Sequence, residues 1–425
     1  MHESAELITR LVFQLAVILI AAKLAGEAFE RYLKIPAVLG ELAAGIIIGP
    51  FALGGWDVPA IGPLFEHVEA GVTIPVSEGL WSIAQIGSVV LLFMAGIETD
   101  LRQFLRYARP ASIVASGGVV FPFIFGAVLT VAFGYADGLS DVKALFLGAV
   151  MTATSIGITV RVLSDLRRLA TPEGVTILGA AVLDDVLGIL ALTVVVGLKE
   201  TGDFSLSSVG FVAFKTLGFW IALTGVGILL ARHISAVFGW FRVSGAALAL
   251  ALGLAFLAAG LAESAGLAMI IGAFSIGLAL SGTDLAHRLE EPLRGVYAAL
   301  VPVFFVVMGM LVDVGSLGRD VWAFGLIITL AAVVGKVAGS GLPALLAGFN
   351  TRGAARIGVG MLPRGEVALI MAGVGISEGI IGQDLYGVTI LMTIATTAIA
   401  PPVLAVLFRD EAPGVRRTAP AQDAG

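Results

Sequence analysis

The chain has 425 residues, 58% hydrophobic and 13% charged, with a formal net charge of −6 and a mean hydropathy of +1.02. Soluble domains carry about 25% charged residues, so this balance excludes a soluble globular protein. Basic residues scattered singly exclude a nucleic-acid binder, and the lack of any cysteine removes disulfides, thiol catalysis and sulfur-ligated metals.

The N-terminus, Met1 to Glu6, is acidic and lacks the positive n-region of a signal peptide. The apolar run 7–31 is too long for an h-region and reads as a retained spanning helix. A window of about 20 residues marks twelve more spans, at 36–53, 79–97, 108–134, 142–164, 172–198, 209–235, 244–262, 264–282, 295–313, 321–348, 354–379 and 385–408. Residues 54–78, with Pro59, Pro63 and Pro75, read as an acidic loop, and the segment from Arg409 as a Pro/Ala-rich disordered tail. With the N-terminus outside, 17 of the 25 Lys and Arg fall on the cytoplasmic side, 5 outside, and Lys23, Lys336 and Arg364 within spans. Such a bias in one alternating register supports both the count and the orientation, with the C-terminus cytoplasmic. The expected fold class is an all-α polytopic membrane protein of about 13 transmembrane helices.

Spans five and twelve share a pattern. Gly148-Ala-Val-Met-Thr-Ala-Thr-Ser lies 210 residues before Gly358-Val-Gly-Met-Leu-Pro-Arg-Gly. An offset of seven spans reverses orientation, so these are inverted repeats, and interrupted segments in corresponding positions point to a transporter binding site. Pro363 removes a backbone donor and Gly365 loosens the chain, so Pro363-Arg364-Gly365-Glu366 breaks span twelve. A plain proline kink is the alternative. In span five, Thr152, Thr154 and Ser155 are placed to bond backbone groups freed by unwinding. Two crossing broken helices would bring two positive and two negative half-helix ends together at mid-membrane.

Span six carries Asp184-Asp185. A carboxylate at the middle of a spanning helix costs at least ~2.5–3.5 kcal/mol, so the pair is expected to handle protons or cations. Adjacent helical residues point about 100° apart, so one can face an ion cavity and the other a neighbouring helix. Lys336, deep in span eleven, is the basic partner at that depth, and an ion pair with Asp184 is expected. Arg364 and Glu366 could pair locally, set the break or line the path. Glu41 in span two reads as structural or as part of a funnel. Glu98, Asp100 and Asp313 fall at span ends. His2, His67, His233 and His287 lie in loops or at span ends without metal-ligand spacing.

Ile35-Pro-Ala-Val-Leu-Gly-Glu-Leu, Thr152-Ala-Thr-Ser, Leu183-Asp-Asp-Val-Leu-Gly, Lys336 and Leu362-Pro-Arg-Gly-Glu occur together over residues 7–408. In these the chain resembles the monovalent cation:proton antiporter-2 family, specifically bacterial sodium/proton antiporters with a paired-aspartate motif. The resemblance implies a homodimer and two crossed discontinuous helices. It implies dimerisation segments at 1–106 and 241–318, core segments at 107–200 and 319–408, a linker helix at 201–240 and a tail at 409–425. It also implies that Asp185 binds the cation or proton, that Asp184 pairs with Lys336, and that the core moves to expose Asp185 to each side in turn.

The function expected is sodium/proton antiport in the cell (inner) membrane, serving pH homeostasis, with Li+ and K+ as other cations. It is expected to be electrogenic, with no cofactor and no metal beyond the transported ion. A potassium/proton antiporter is the alternative. A sodium-coupled organic anion symporter lacks a polar and aromatic substrate cluster. An intramembrane aspartyl protease needs aspartates on two helices. The chain is therefore not expected to be an enzyme.

Overall fold

A bilayer offers backbone groups no water, so an apolar chain must satisfy them internally. The computed structural model, which describes residues 2–58, 62–65, 74–201, 206–313, 321–410 and 412–416, does so with helices. In chain order they are α1 (His2–Ala28, continued by a π-helical turn at Phe29–Leu33), α2 (Ala37–Ile48), α3 (Glu78–Glu98), α4 (Leu101–Ala132), α5 (Val142–Thr152), α6 (Ile156–Asp165), α7 (Pro172–Thr201) and α8 (Leu206–Trp240). Then follow α9 (Ala246–Ser264), α10 (Met269–Leu280), α11 (Asp284–Met310), α12 (Val321–Leu346), α13 (Thr351–Gly360), α14 (Glu366–Ser377) and α15 (Gln383–Leu407). A two-residue antiparallel pair, β1 (Asp57–Val58) with β2 (Gly62–Pro63), lies between α2 and α3. Residues 59–61 and 66–73 of the 54–78 loop, His67 among them, and the tail from residue 417 lie outside the described residues.

Among the described residues, eleven helical segments are long and apolar enough to cross a membrane, and Met269–Leu280 and Glu366–Ile376 are shorter apolar helices where spans nine and twelve were expected. The chain is thus a polytopic, essentially all-α membrane protein. Several ends differ from the hydropathy reading. α4 starts seven residues earlier, because Asp100 accepts from Gln103 N at 2.9 Å and caps it. Its 32 residues rise about 48 Å at ~1.5 Å each, so its Arg-bearing first turns extend past the hydrocarbon and hydropathy does not register them. α11 likewise opens on the charged turns Asp284–Arg294.

The inverted repeat extends beyond the broken spans. α2 and α10 are both 12 residues long, and both carry glycine at their fourth and ninth positions: Gly40 and Gly45, Gly272 and Gly277. Each glycine serves close approach. A Cβ on Gly45 would collide with Val306 O of α11, and one on Gly277 with Phe93 O of α3. Packing divides the helices into two groups. α1, α2, α3, α9, α10 and α11 contact one another, as do α4, α5, α7, α12, α13, α14 and α15. α6 lies on the seam, touching α2 and α3 on one side and α7 and α15 on the other.

After α15 the chain folds back over the start of α13. Asn350 N donates to Gly414 O at 2.8 Å and Arg416 N to Gly348 O at 3.0 Å. Arg356, buried in α13, pairs with Glu173 at 2.6 Å and donates to Leu407 O at 3.1 Å and Ala412 O at 2.9 Å.

Candidate functional site

Both expected breaks are true interruptions. Span five is α5 and α6 separated by Ala153, Thr154 and Ser155, and span twelve is α13 and α14 separated by residues 361–365, so span twelve is not a simple kink. The two extended segments hydrogen-bond directly: Ser155 N donates to Pro363 O at 2.7 Å. Thr154 Oγ1 donates to Met361 O at 3.2 Å and Thr159 Oγ1 to Gly360 O at 2.8 Å. Thr152 Oγ1 bonds back to Ala149 O at 2.7 Å. The crossing is tight at Gly365, where a Cβ would sit 2.7 Å from Ser155 Oγ, closer than atoms of a real side chain come.

Charges are matched to the half-helix ends. The last carbonyls of α5 are met by two cations. Lys336 Nζ donates to Thr152 O at 2.7 Å, and Arg364 Nη1 donates to Ala153 O. Lys336 uses its other two donors on Gly118 O at 2.9 Å and Asp184 Oδ1 at 2.8 Å, so a wholly buried ammonium has every proton placed. Glu366 opens α14, where the positive end of the helix favours an acid, and its Oε2 accepts from Ser155 Oγ at 3.2 Å. Arg364 and Glu366 therefore turn to different partners rather than to each other. Arg364 is thus a second cation at the depth of Lys336, a role its place beside Glu366 in the sequence does not reveal. Its Nε and Nη2 are buried without a hydrogen-bond partner among the described residues.

Asp185 points away from the lysine pair. It lines a cavity of about 440 Å³ with Gln85 and Ser88 of α3, Met269 of α10 and Glu366, and its Oδ2 is buried with no hydrogen-bond partner among the described residues. The cavity occupies the space left by the shortness of α10: 12 residues rise about 18 Å, against a hydrocarbon core of about 30 Å. Three acids, Asp184, Asp185 and Glu366, stand against two cations, Lys336 and Arg364, so the formal balance at the crossing is one acid in excess.

Two basic residues counted from the sequence as cytoplasmic charges are in fact buried: Arg161 in α6 and Arg356 in α13. Arg161 Nη2 meets Glu41 Oε1 at 3.5 Å, its Nε meets Asp165 Oδ2 at 3.0 Å, and its guanidinium lies 5.4 Å from the Tyr297 ring centroid. The available signal was the i,i+4 spacing of Arg161 and Asp165, together with an unpartnered acid, Glu41, within a span. Glu98 accepts from Ser164 Oγ at 3.3 Å, at the same end of α3 and α6.

Residues 15–410 match the family model described as the transmembrane sodium/hydrogen exchanger. The chain is 38% identical to the Na(+)/H(+)-K(+) antiporter GerN of Bacillus cereus, over 93% of this chain and 96% of the relative. It is 37% identical to the high-affinity Na(+)/H(+) antiporter NhaS3 of Synechocystis sp., over 95% and 91% of the two chains. Its fold is similar to that of the sodium proton antiporter MjNhaP1 from Methanocaldococcus jannaschii, with a TM-score of 0.64 at 19% identity over 95% of this chain and 96% of that one. These relatives are transporters and not enzymes, as was expected for this chain. By the extent of these matches, the chain belongs to the transmembrane sodium/hydrogen exchanger family.

Proposed function

We propose that the protein exchanges Na+ for H+ across the cell membrane, with Asp185 as the shared site for both ions. The observation that carries this reading is Asp185 in the lining of the 440 Å³ cavity, beside an Asp184 already neutralised by Lys336 at 2.8 Å. A single carboxylate that holds either ion couples the two fluxes by competition. The two packing groups support a division into a stationary part, α1–α3 and α9–α11, and a moving core, α4–α7 and α12–α15, with α8 as linker. A homodimer through the stationary part accords with this division. The bias of Lys and Arg toward one set of loops supports an outside N-terminus and a cytoplasmic C-terminus. In that orientation the cavity over Asp185 opens outward.

The exchange carries two protons per cation. Asp185 accounts for one, and Lys336, freed from Asp184 when the cation binds, accounts for the second. One net charge crossing about 100 mV is worth ~2.3 kcal/mol, which supports roughly a 50-fold greater cation gradient. K+ is the second reading of the cation, favoured by the name of the Bacillus cereus relative. Purified protein in liposomes with a trapped pH dye tests these points. A Na+ pulse should move protons, and valinomycin with K+ should speed the exchange by collapsing the potential it builds. Asp185→Asn should abolish the signal while leaving the protein folded. Normal exchange in that variant refutes the assignment of Asp185, and a rate indifferent to valinomycin makes the coupling one-to-one.

A further inference from the structure

The two halves of an inverted repeat are expected to meet their neighbours alike, one at each membrane face. α6 and α14 begin at Ile156 and Glu366, and α2 and α10 at Ala37 and Met269, so Arg161 corresponds to Met371 and Glu41 to Ala273. The two seams are nonetheless in different conditions. Between α10 and α14 lies the open 440 Å³ cavity, with Met269 and Ile270 on one wall and Ile370 and Met371 on the other. Between α2 and α6 the helices touch beside a smaller apolar cavity of about 280 Å³ lined by Leu39, Leu42 and Ile158. At the end where Arg161 lies the contact is made by charge: Arg161 to Glu41 at 3.5 Å, braced by Asp165 at 3.0 Å and by Tyr297 of α11. One layer deeper, Phe304 of α11 closes on Gly157, whose added Cβ would stand 3.1 Å from the ring.

We propose that Arg161 is a latch between the moving core and the stationary part, and that its bond to Glu41 holds the cytoplasmic mouth of the ion pathway shut while the outer mouth is open. Glu41 and Tyr297 belong to the stationary group and Arg161 to a helix on the seam, so motion of α6 parts them. A buried ion pair separated without replacement partners leaves two costly charges; it therefore opens only as water enters behind it. Two cytoplasmic-side cavities reach the latch, one of about 380 Å³ lined by Arg161 and Asp165, the other of about 710 Å³ lined by Ser164 and Tyr297. The opposite seam has the apolar Ala273 and Met371 in the equivalent places, which form no ion pair. Opening is therefore biased toward the outside at rest. The inference rests on the orientation and two-part motion proposed above.

The absence of cysteine makes the test direct. Gln85, half-buried in the outer cavity, is replaced in a Gln85→Cys variant and labelled in right-side-out vesicles with a membrane-impermeant maleimide. Labelling should be fast with the latch intact. It should fall at least about threefold when Arg161→Gln or the near-isosteric Glu41→Gln is added, because a state loses its majority only when its equilibrium moves substantially. Arg161→Lys should restore part of the rate. Unchanged labelling in both latch variants, each eluting as folded protein, overturns the latch. Asp185→Asn in the same background separates the two readings: it should label like the Gln85→Cys parent. If it also transports normally, the ion-site assignment fails and the latch stands.

Discussion

α5 and α13 end at the same crossover and are finished in different ways. The end of α5 faces two cations, Lys336 and Arg364, whereas the end of α13 faces two hydroxyls, Thr154 and Thr159. Both arrangements satisfy carbonyls that a broken helix leaves open. Only the first also fixes charge. The repeat therefore supplies the geometry twice, while the electrostatics are built once, on the side where Asp184 and Asp185 enter. A crossover with cations at both ends would carry too much positive charge to attract another. With hydroxyls at one end it keeps one acid in excess.

Substitutions at the two ends should differ in size accordingly. Lys336→Ala removes the counter-ion of a buried carboxylate and should lower stability by about 3–5 kcal/mol, seen as a large drop in melting temperature in detergent. A loss no greater than that of a nearby apolar change, such as Val337→Ala, breaks the comparison. Gly365→Ala tests the closeness of the crossing itself. Forcing a methyl against Ser155 should cost about 1–3 kcal/mol and slow exchange. An unperturbed melting curve means that the two breaks slide apart easily. Thr159→Val should cost the least, about 0.5–1.5 kcal/mol for one hydrogen bond, with cation affinity unchanged. A shift in cation affinity in that variant would show that the α13 end takes part in the charge balance.

Much of this was legible in the sequence, and the reasons are particular. The breaks could be read because Pro363 and Gly365 forbid a continuous helix, and the approach of Lys336 to Asp184 because few basic groups tolerate that depth. The repeat was visible at spans five and twelve, where polar residues stand out. It was missed at α2 and α10, whose shared glycines are lost in a chain holding 55 of them. Arg161 and Arg356 were misplaced for a different reason. Hydropathy treats arginine near a span end as solvent-facing, and only the packing of α2 beside α6, or of the chain after α15 beside α13, shows what buries them. The shortness of α10 was hidden because its flanking residues are as apolar as a helix; the cavity over Asp185 depends on that missing length.

The pairing of Asp184 with Lys336 also bears on how the protein is made. The two residues are 152 positions apart. At about 5–20 residues per second, the ribosome delivers α12 some 8–30 s after α7. Throughout that interval α7 is inside or beside the insertion machinery with an acid whose counter-ion has not yet been translated. Arg356 of α13 waits longer still, because it donates to Leu407 O at the last residue of α15 and to Ala412 O beyond it. Insertion of this chain is therefore expected to depend on a chaperone or translocon that retains α7 until α12 arrives, and ribosome stalling between the two should leave α7 extractable from the membrane.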